Sequence, residues 1–185
     1  MTLLHRHNPP ACYPDDVLTR ASSDTARWGV VRTQSRHEKA LAHELRRRGI
    51  PYYLPLIRRR QRSRQRVRHA LLPAFPGYLF ILATPQQRHA TLATGRVVQT
   101  LRVLWPDRLG RELAAVATAI TARSVEPCAW QAVGRRAEII TGPLMGLNGI
   151  IDSRRGRHRL VLRVDAIQQA LRIVVDIGEI ELLAG

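Results

Sequence analysis

Residues 58–84 read RRRQRSRQRVRHALLPAFPGYLFILAT, a run of positive charge that passes directly into an apolar segment broken once, by Pro-Gly. Seven arginines fall within the eleven positions 58–68. Such a block at a terminus reads as a solvated, self-repelling tail. Here it lies between two apolar segments, IPYYLPLI at 50–57 and FPGYLFILAT at 75–84, and so reads as a hairpin spliced between two strands. Arg58, Arg60, Arg62, Arg64, Arg66 and Arg68 take every second position. In an extended chain alternate residues share a face, so within each arm of the hairpin these arginines form one charged edge. A ribbon of this kind tracks phosphates, with affinity that falls as salt rises; a mobile loop that binds nothing in particular is the competing reading.

The aromatic residues sharpen the second half of the stretch. Phe75, Tyr78 and Phe80 concentrate aromatic surface in a chain with 5% aromatics. Period two sends Tyr78 and Phe80 to one face. Some of the three pack inward as core, and one or two stay outside as a docking surface for a partner's helices.

Outward from there, the pattern predicts a small α/β layer. RWGVVRT at 27–33 is a short apolar strand. SRHEKALAHELRRRG at 35–49 carries the marks of a helix: Ser35 and Glu38 at capping-box spacing, Leu41 and Leu45 on one face, Arg46 to Arg48 at the negative end of the dipole, and Gly49 as the stop. IPYYLPLI is a second strand, irregular at its prolines, and FPGYLFILAT a third. PQQRHATLATG reads as a short helix and RVVQTLRVLW as a fourth strand. PDRLGRELAAVATAITAR is a helix with Leu109, Leu113, Val116, Ala117 and Ile120 on one face.

SVEPCAWQAV breaks the periodicity and reads as a linker. Residues 133–185 then consist of short alternating runs separated by turn residues. Leu160, Leu162 and Val164 share one face, as do Leu171, Ile173, Val175 and Ile177. Asn148-Gly149 carries a hairpin signal, and so many short strands in about fifty residues imply a small β-barrel. Gly142, Gly146 and Gly149 are explained by turn geometry rather than by phosphate cradling, since no GK[ST] and no GxGxxG accompanies them. Leu144, Met145 and Leu147 are apolar residues in that glycine-rich loop, and suggest a contact surface. The fold class expected is α+β: an antiparallel sheet flanked by helices at 27–123, a linker at 124–132 and a small barrel at 133–185, preceded by a disordered leader at 1–26.

Composition bounds the function. Thirty basic residues stand against fourteen acidic ones, a net charge of +16 that points to a polyanionic partner. With 45% hydrophobic residues the chain is no disordered basic tail. Its two cysteines, Cys12 and Cys128, lack CxxC spacing and fit a reducing cytosol. There is no apolar run of membrane-spanning length and no signal-peptide pattern at the start, so the expected location is cytoplasmic. His5, His7 and Cys12 lack a fourth ligand at metal spacing. Seven histidines are scattered and neither cysteine has a base partner, so no catalytic centre, metal or cofactor is expected.

Taken together, WGVVRT with its helix, YYLPL running into the basic hairpin, FPGYLFI, and ITGPLMGLNGIID further on resemble the NusG/RfaH family of transcription elongation factors. The resemblance covers roughly residues 27–183 and implies an NGN domain, a linker and an SH3-like KOW barrel. It implies that Phe75, Pro76, Gly77 and Tyr78 belong to a pocket for the clamp helices of RNA polymerase. It also implies that the segment holding His89, Ala90 and Thr91 faces the polymerase gate loop, although its spacing is shorter than the family's His-Thr-Thr element. The arginine hairpin would then lie near upstream or non-template DNA. Leu144, Met145 and Leu147 would recruit a KOW partner such as Rho or a ribosomal protein, with Leu144 where the general member has Phe. The implied protein is a monomeric, non-enzymatic elongation factor acting on processivity, antitermination and termination. Its high charge and its leader are atypical of the housekeeping factor and point to a specialised paralogue. A ribosome-associated or RNA-binding KOW protein is the alternative. Members of the RfaH type can store the KOW segment as a helical hairpin, but the β-branched residues around VDAIQQALRIV favour strands.

Overall fold

The computed structural model describes residues 8–63, 66–131, 134–154 and 157–183. The chain divides into two compact units, residues 1–110 and 111–185. Among the described residues there are three α-helices, and the paired strands are antiparallel throughout.

The first unit is built on a five-stranded sheet. Its strands are β1 (Cys12–Tyr13), β2 (Arg27–Thr33), β3 (Tyr52–Tyr53), β6 (Tyr78–Ala83) and β7 (Val97–Leu101), in the order β1-β3-β6-β2-β7. Central β6 pairs with β2 from Tyr78↔Arg32 to Ala83↔Arg27, and with β3 at Phe80↔Tyr53. Helix α1 (Glu38–Arg47) lays Leu41, Ala42 and Leu45 on one face of this sheet, against Val31, Tyr52, Leu79 and Ile81. All of these are essentially inaccessible, so apolar burial on this face is the main cohesive term of the unit.

Helix α2 (Pro85–Leu92) starts with Thr84, whose hydroxyl accepts from Gln87 N at 3.2 Å while Gln87 Oε1 accepts from Thr84 N at 3.0 Å. This reciprocal cap, with Pro85 at the first helical position, satisfies two amide donors that a helix start leaves free. At α1 the expected cap is absent. His37 occupies the cap position without a side-chain bond to the helix, its ring meeting Arg96 instead, and the Glu38 carboxylate is committed elsewhere.

Three further expectations are corrected in this unit. Of the leader expected at 1–26, residues 1–7 lie outside the described residues and 8–26 are held in place: β1 pairs with β3, Val17 is fully buried, and Tyr52 donates from its hydroxyl to Pro10 O at 3.1 Å. The apolar core of the sheet is wide enough to bind the segment down. IPYYLPLI is not one strand. Pro55 interrupts it, so β3 ends at Tyr53 and β4 (Leu56–Ser63) begins a separate two-stranded sheet with β5 (Arg66–Pro73). Strand β7 stops at Leu101, which leaves Leu104 and Trp105 outside the sheet and about 70% exposed.

Helix α3 (Pro106–Ala122) begins in the first unit and ends in the second. The second unit holds a six-stranded sheet formed by β8 (Val125–Cys128), β9 (Arg135–Ile139), β10 (Asn148–Arg154), β11 (Arg157–Val164), β12 (Gln169–Val175) and β13 (Ile180–Leu182). The order is β13-β9-β10-β11-β12-β8. Leu160, Leu162, Ile173, Val175, Ala137 and Ile139 make its core, and Ala119 of α3 joins them. Residues 124–132, expected as a linker, thus supply an edge strand: Val125–Cys128 pairs with β12, with Pro127 tolerated because an edge leaves one side of the ladder free.

Among the described residues the ladder of the second unit does not close into a barrel. Three-residue β13 pairs with β9 and β8 with β12, so these two strands are the sheet's edges. Asn148-Gly149 does not form a hairpin either; both lie inside β10, opposite Glu138 and Ala137. The chain reverses instead through 142–146, where Gly146 N donates to Ile139 O and Leu147 O accepts from Ile139 N. Gly149 is there for clearance: a Cβ would stand 2.7 Å from Val161 O. Ile177 leaves the expected β12 face for a short 3-10 turn and is 67% exposed. VDAIQQALRIV forms a 3-10 turn and then β12, with no α-helix.

Candidate functional site

The arginine block forms an antiparallel ribbon. Pairing runs from Leu56↔Pro73 to Ser63↔Arg66, so eight residues a side extend roughly 25 Å at the usual strand rise. The ribbon is hydrogen-bonded as its own sheet, separate from the five-stranded one. Its base is anchored by Ala74 N donating to Pro55 O at 2.8 Å and by Ile57, which is buried. Arg58, Arg59 and Arg60 are exposed.

Register refines the expected charged face. Arg58 lies opposite Leu71, Arg60 opposite His69 and Arg62 opposite Val67, whereas Arg66 and Arg68 lie opposite Ser63 and Gln61. Directly paired residues share a face. Arg58 and Arg60 therefore occupy one face of the ribbon and Arg59 the other. The side chains of Arg62, Arg66 and Arg68 lie outside the described residues. Arg64 lies outside the described residues.

Immediately after the ribbon comes the turn 75–78. Phe75 is 1% exposed and meets Phe80 edge-on, ring centroids 6.1 Å apart at 87°. It is core, because an aromatic ring of that size is held far better against Phe80 than in water. The outward part of the motif is Pro76, exposed, with half-buried Gly77 and Tyr78. Gly77 has φ +84°, a conformation that side chains resist. Its carbonyl accepts from Thr33 N at 2.8 Å and its amide donates to Glu38 Oε1 at 2.7 Å. Tyr78 shares its sheet face with Arg32, its ladder partner.

The α2 residues divide in the same way. His89 is exposed, while Thr91 is fully buried and donates its hydroxyl to Gln87 O at 2.8 Å. The expected pair is thus reduced to His89. In the second unit Leu144 and Leu147 are core residues, whereas Met145, between them, is 71% exposed. Exposed Ile140 and Ile177 lie on the segments joined by the Ile140 N to Glu179 O bond. Glu179 in turn pairs with Arg123, which also donates to Val174 O. The Arg123 hydrogen bonds hold the Glu179 carboxyl below its ordinary range.

A feature the sequence reading passed over is a cleft of about 530 Å³ in the first unit, lined among others by Trp28, Ala83, Arg88, Leu101 and Leu104. Burial depresses the Arg88 guanidinium, which donates to Arg27 O at 2.6 Å. Leu104, two residues before Pro106, is the sequence signal for its lining, hidden there by the reading of RVVQTLRVLW as one strand. Among the described residues no three His, Cys, Asp or Glu side chains are grouped to hold a metal. None of the helices is long and apolar enough to cross a membrane.

Residues 26–116 match the family model described as transcription termination factor NusG. Residues 26–116 form a domain of the NusG family. The NusG match runs from the residue before β2 into α3. It therefore contains α1, the ribbon, the 75–78 turn, α2 and all of the cleft lining except Asp24 and Thr25. This protein is accordingly a transcription factor of the NusG kind. No curated protein matches the chain.

Proposed function

We propose that the chain is an elongation factor that docks on RNA polymerase across the clamp and promotes processivity, acting in antitermination and termination control. The observation that carries this reading is contiguity: within the NusG match, the basic ribbon Leu56–Pro73 leads within two residues into the turn 75–78. Pro76 and Tyr78 contact the clamp helices, with Phe75 as the core support beneath them. His89 faces the gate loop. Arg58, Arg60 and the further arginines of the ribbon meet upstream or non-template DNA.

Residues 27–123 serve as the NGN domain and 133–185 as a KOW module whose partner, Rho or a ribosomal protein, meets Met145 rather than the buried Leu144 and Leu147. What supports the module is its run of short antiparallel strands with a glycine-rich apolar turn. The factor acts by holding the clamp shut, with no bond-making step, and works as a monomer in the cytoplasm.

The test is pull-down of the full chain with the isolated clamp helices of the polymerase. Binding by the wild-type chain that is lost in folded Tyr78→Ala supports the reading. Equal capture of both proteins removes the assigned surface, and capture of neither removes polymerase docking.

A further inference from the structure

The residues that start α1 do not serve the helix. Glu38, 6% exposed, turns its carboxylate to the amide of Gly77. Lys39, the one lysine of the chain, donates from Nζ to Leu71 O at 2.5 Å and to Asn8 Oδ1 at 2.6 Å. Desolvation pulls the Lys39 ammonium below its usual range, so its placement here is bought against hydration and compensated by those acceptors. Leu71 and Gly77 bracket the segment that links the ribbon's return strand to the docking turn. Two adjacent side chains thus grip both ends of a seven-residue connection.

The grip matters because, among the described residues, the ribbon has no ladder to the main sheet. Its direction is set by contacts at its root: Ala74 to Pro55, buried Ile57, and Lys39 on Leu71. The turn likewise needs an acceptor for the Gly77 amide, which lies before β6 and is met by Glu38. A charged carboxylate is a strong acceptor for one backbone amide.

We infer that Glu38 and Lys39 are positioning residues: the first turn of α1 holds the docking turn and the arginine ribbon in one fixed relation, Glu38 through Gly77 and Lys39 through Leu71. This rests on the docking reading above. A factor that contacts a protein surface and nucleic acid at once gains from the second contact only if the geometry allows both together. The fixture supplies that geometry without touching either partner.

The experiment uses the full chain, core RNA polymerase and an assembled elongation complex, with thermal unfolding as the check that each variant is folded. Glu38→Ala weakens binding to core polymerase by about fivefold, the scale of one lost hydrogen bond, and Glu38→Gln, which keeps the acceptor, restores most of it. Lys39→Met binds core polymerase as wild type does. It loses about fivefold of the extra affinity that nucleic acid provides in the elongation complex, and Lys39→Arg recovers it. In parallel, hydrogen exchange of the Gly77 amide accelerates in Glu38→Ala and not in Lys39→Met.

Folded Glu38→Ala that binds core polymerase normally, or Lys39→Met that keeps the full gain from nucleic acid, overturns the inference. Unchanged Gly77 exchange in Glu38→Ala overturns it as well. Wild-type protein that fails to bind polymerase at all sinks the docking reading instead, and the Gly77 exchange rate then still decides whether Glu38 holds the turn.

Discussion

Phe75 stands edge-on to Phe80, its ring centroid 6.1 Å away and its plane turned 87°. The contact divides the 75–78 motif into a buried half that builds the sheet and an exposed half that faces outward. Removing Phe75 leaves a cavity beside Phe80, so Phe75→Ala costs about 3–5 kcal/mol of stability. Tyr78→Ala, at a half-buried position, costs about 1 kcal/mol but abolishes capture by the clamp helices. Urea unfolding of the two variants, set beside the pull-down, checks the division. A Tyr78→Ala chain that is much less stable than Phe75→Ala contradicts it.

The ribbon makes a prediction about salt. Ile57 is buried at its root, so the face shared by Ile57 and Arg59 leans toward the protein body, and the face of Arg58 and Arg60 is the outward one. Each arginine on a phosphate contributes roughly 0.9 to the slope of log affinity against log salt on duplex DNA. The double change Arg58→Ala with Arg60→Ala lowers that slope by about 2, and Arg59→Ala alone lowers it by less than about half of one. Titrations of duplex DNA at several salt concentrations measure both. Equal effects from Arg58 and Arg59 would show that the ribbon uses both faces. Stability changes by no more than about 0.5 kcal/mol in either case.

Gly149 faces the passing strand β11, where an added Cβ would come within 2.7 Å of Val161 O and 2.8 Å of Leu160 Cγ. Gly149→Ala therefore destabilises the second unit by about 1–3 kcal/mol through overpacking. Asn148→Ala, at an exposed position whose amide reaches Gly146 O, costs about 1 kcal/mol or less. If the two residues formed a hairpin turn, Asn148 would be the more sensitive. Urea midpoints of the two variants decide.

Alkaline conditions act on the N-terminal strand. Burial, with Asp15 adding to it, pushes the Cys12 thiol up to about 11, and burial pushes the Tyr52 hydroxyl up to about 12. Both groups are neutral when protonated, and the folded state keeps their protons longer than the unfolded chain. Their stabilising contribution is complete below the unfolded values and is lost as pH rises through the folded ones. Stability should therefore fall between about pH 9 and 12. Cys12→Ala should flatten the part of the fall between about pH 9 and 11. Urea midpoints of wild type and variant across that range test it; parallel curves would remove Cys12 as a cause.

Much of this architecture was legible locally. The spacing of Leu41 and Leu45, the alternation in Leu160–Val164, and Gly49 after three arginines each report a period or a stop within a few residues. α1, α2, β2, β6, β11 and β12 follow from such patterns, as does the existence of a hairpin between the two apolar segments. What went unread has one physical cause: competition between a local partner and a distant one. Glu38 has capping-box spacing from Ser35, yet Gly77, thirty-nine positions away, takes its carboxylate. SVEPCAWQAV has no period of its own, yet the open edge of β12 recruits Val125–Cys128 as a strand.

The same competition governs the candidate site. Residue type and spacing alone determined that an arginine hairpin meets an aromatic Pro-Gly turn, because charge alternation and turn chemistry are properties of neighbouring residues. Tertiary structure alone decided which of those residues remain on the surface. Phe75, Thr91, Leu144 and Leu147 were drawn into cores or backbone bonds, while Pro76, Tyr78, His89 and Met145 were left outside. Pairing register, which depends on both strands at once, set which residue stands opposite each arginine. Burial and register are settled by what lies opposite a residue, and that is the part a linear chain does not carry.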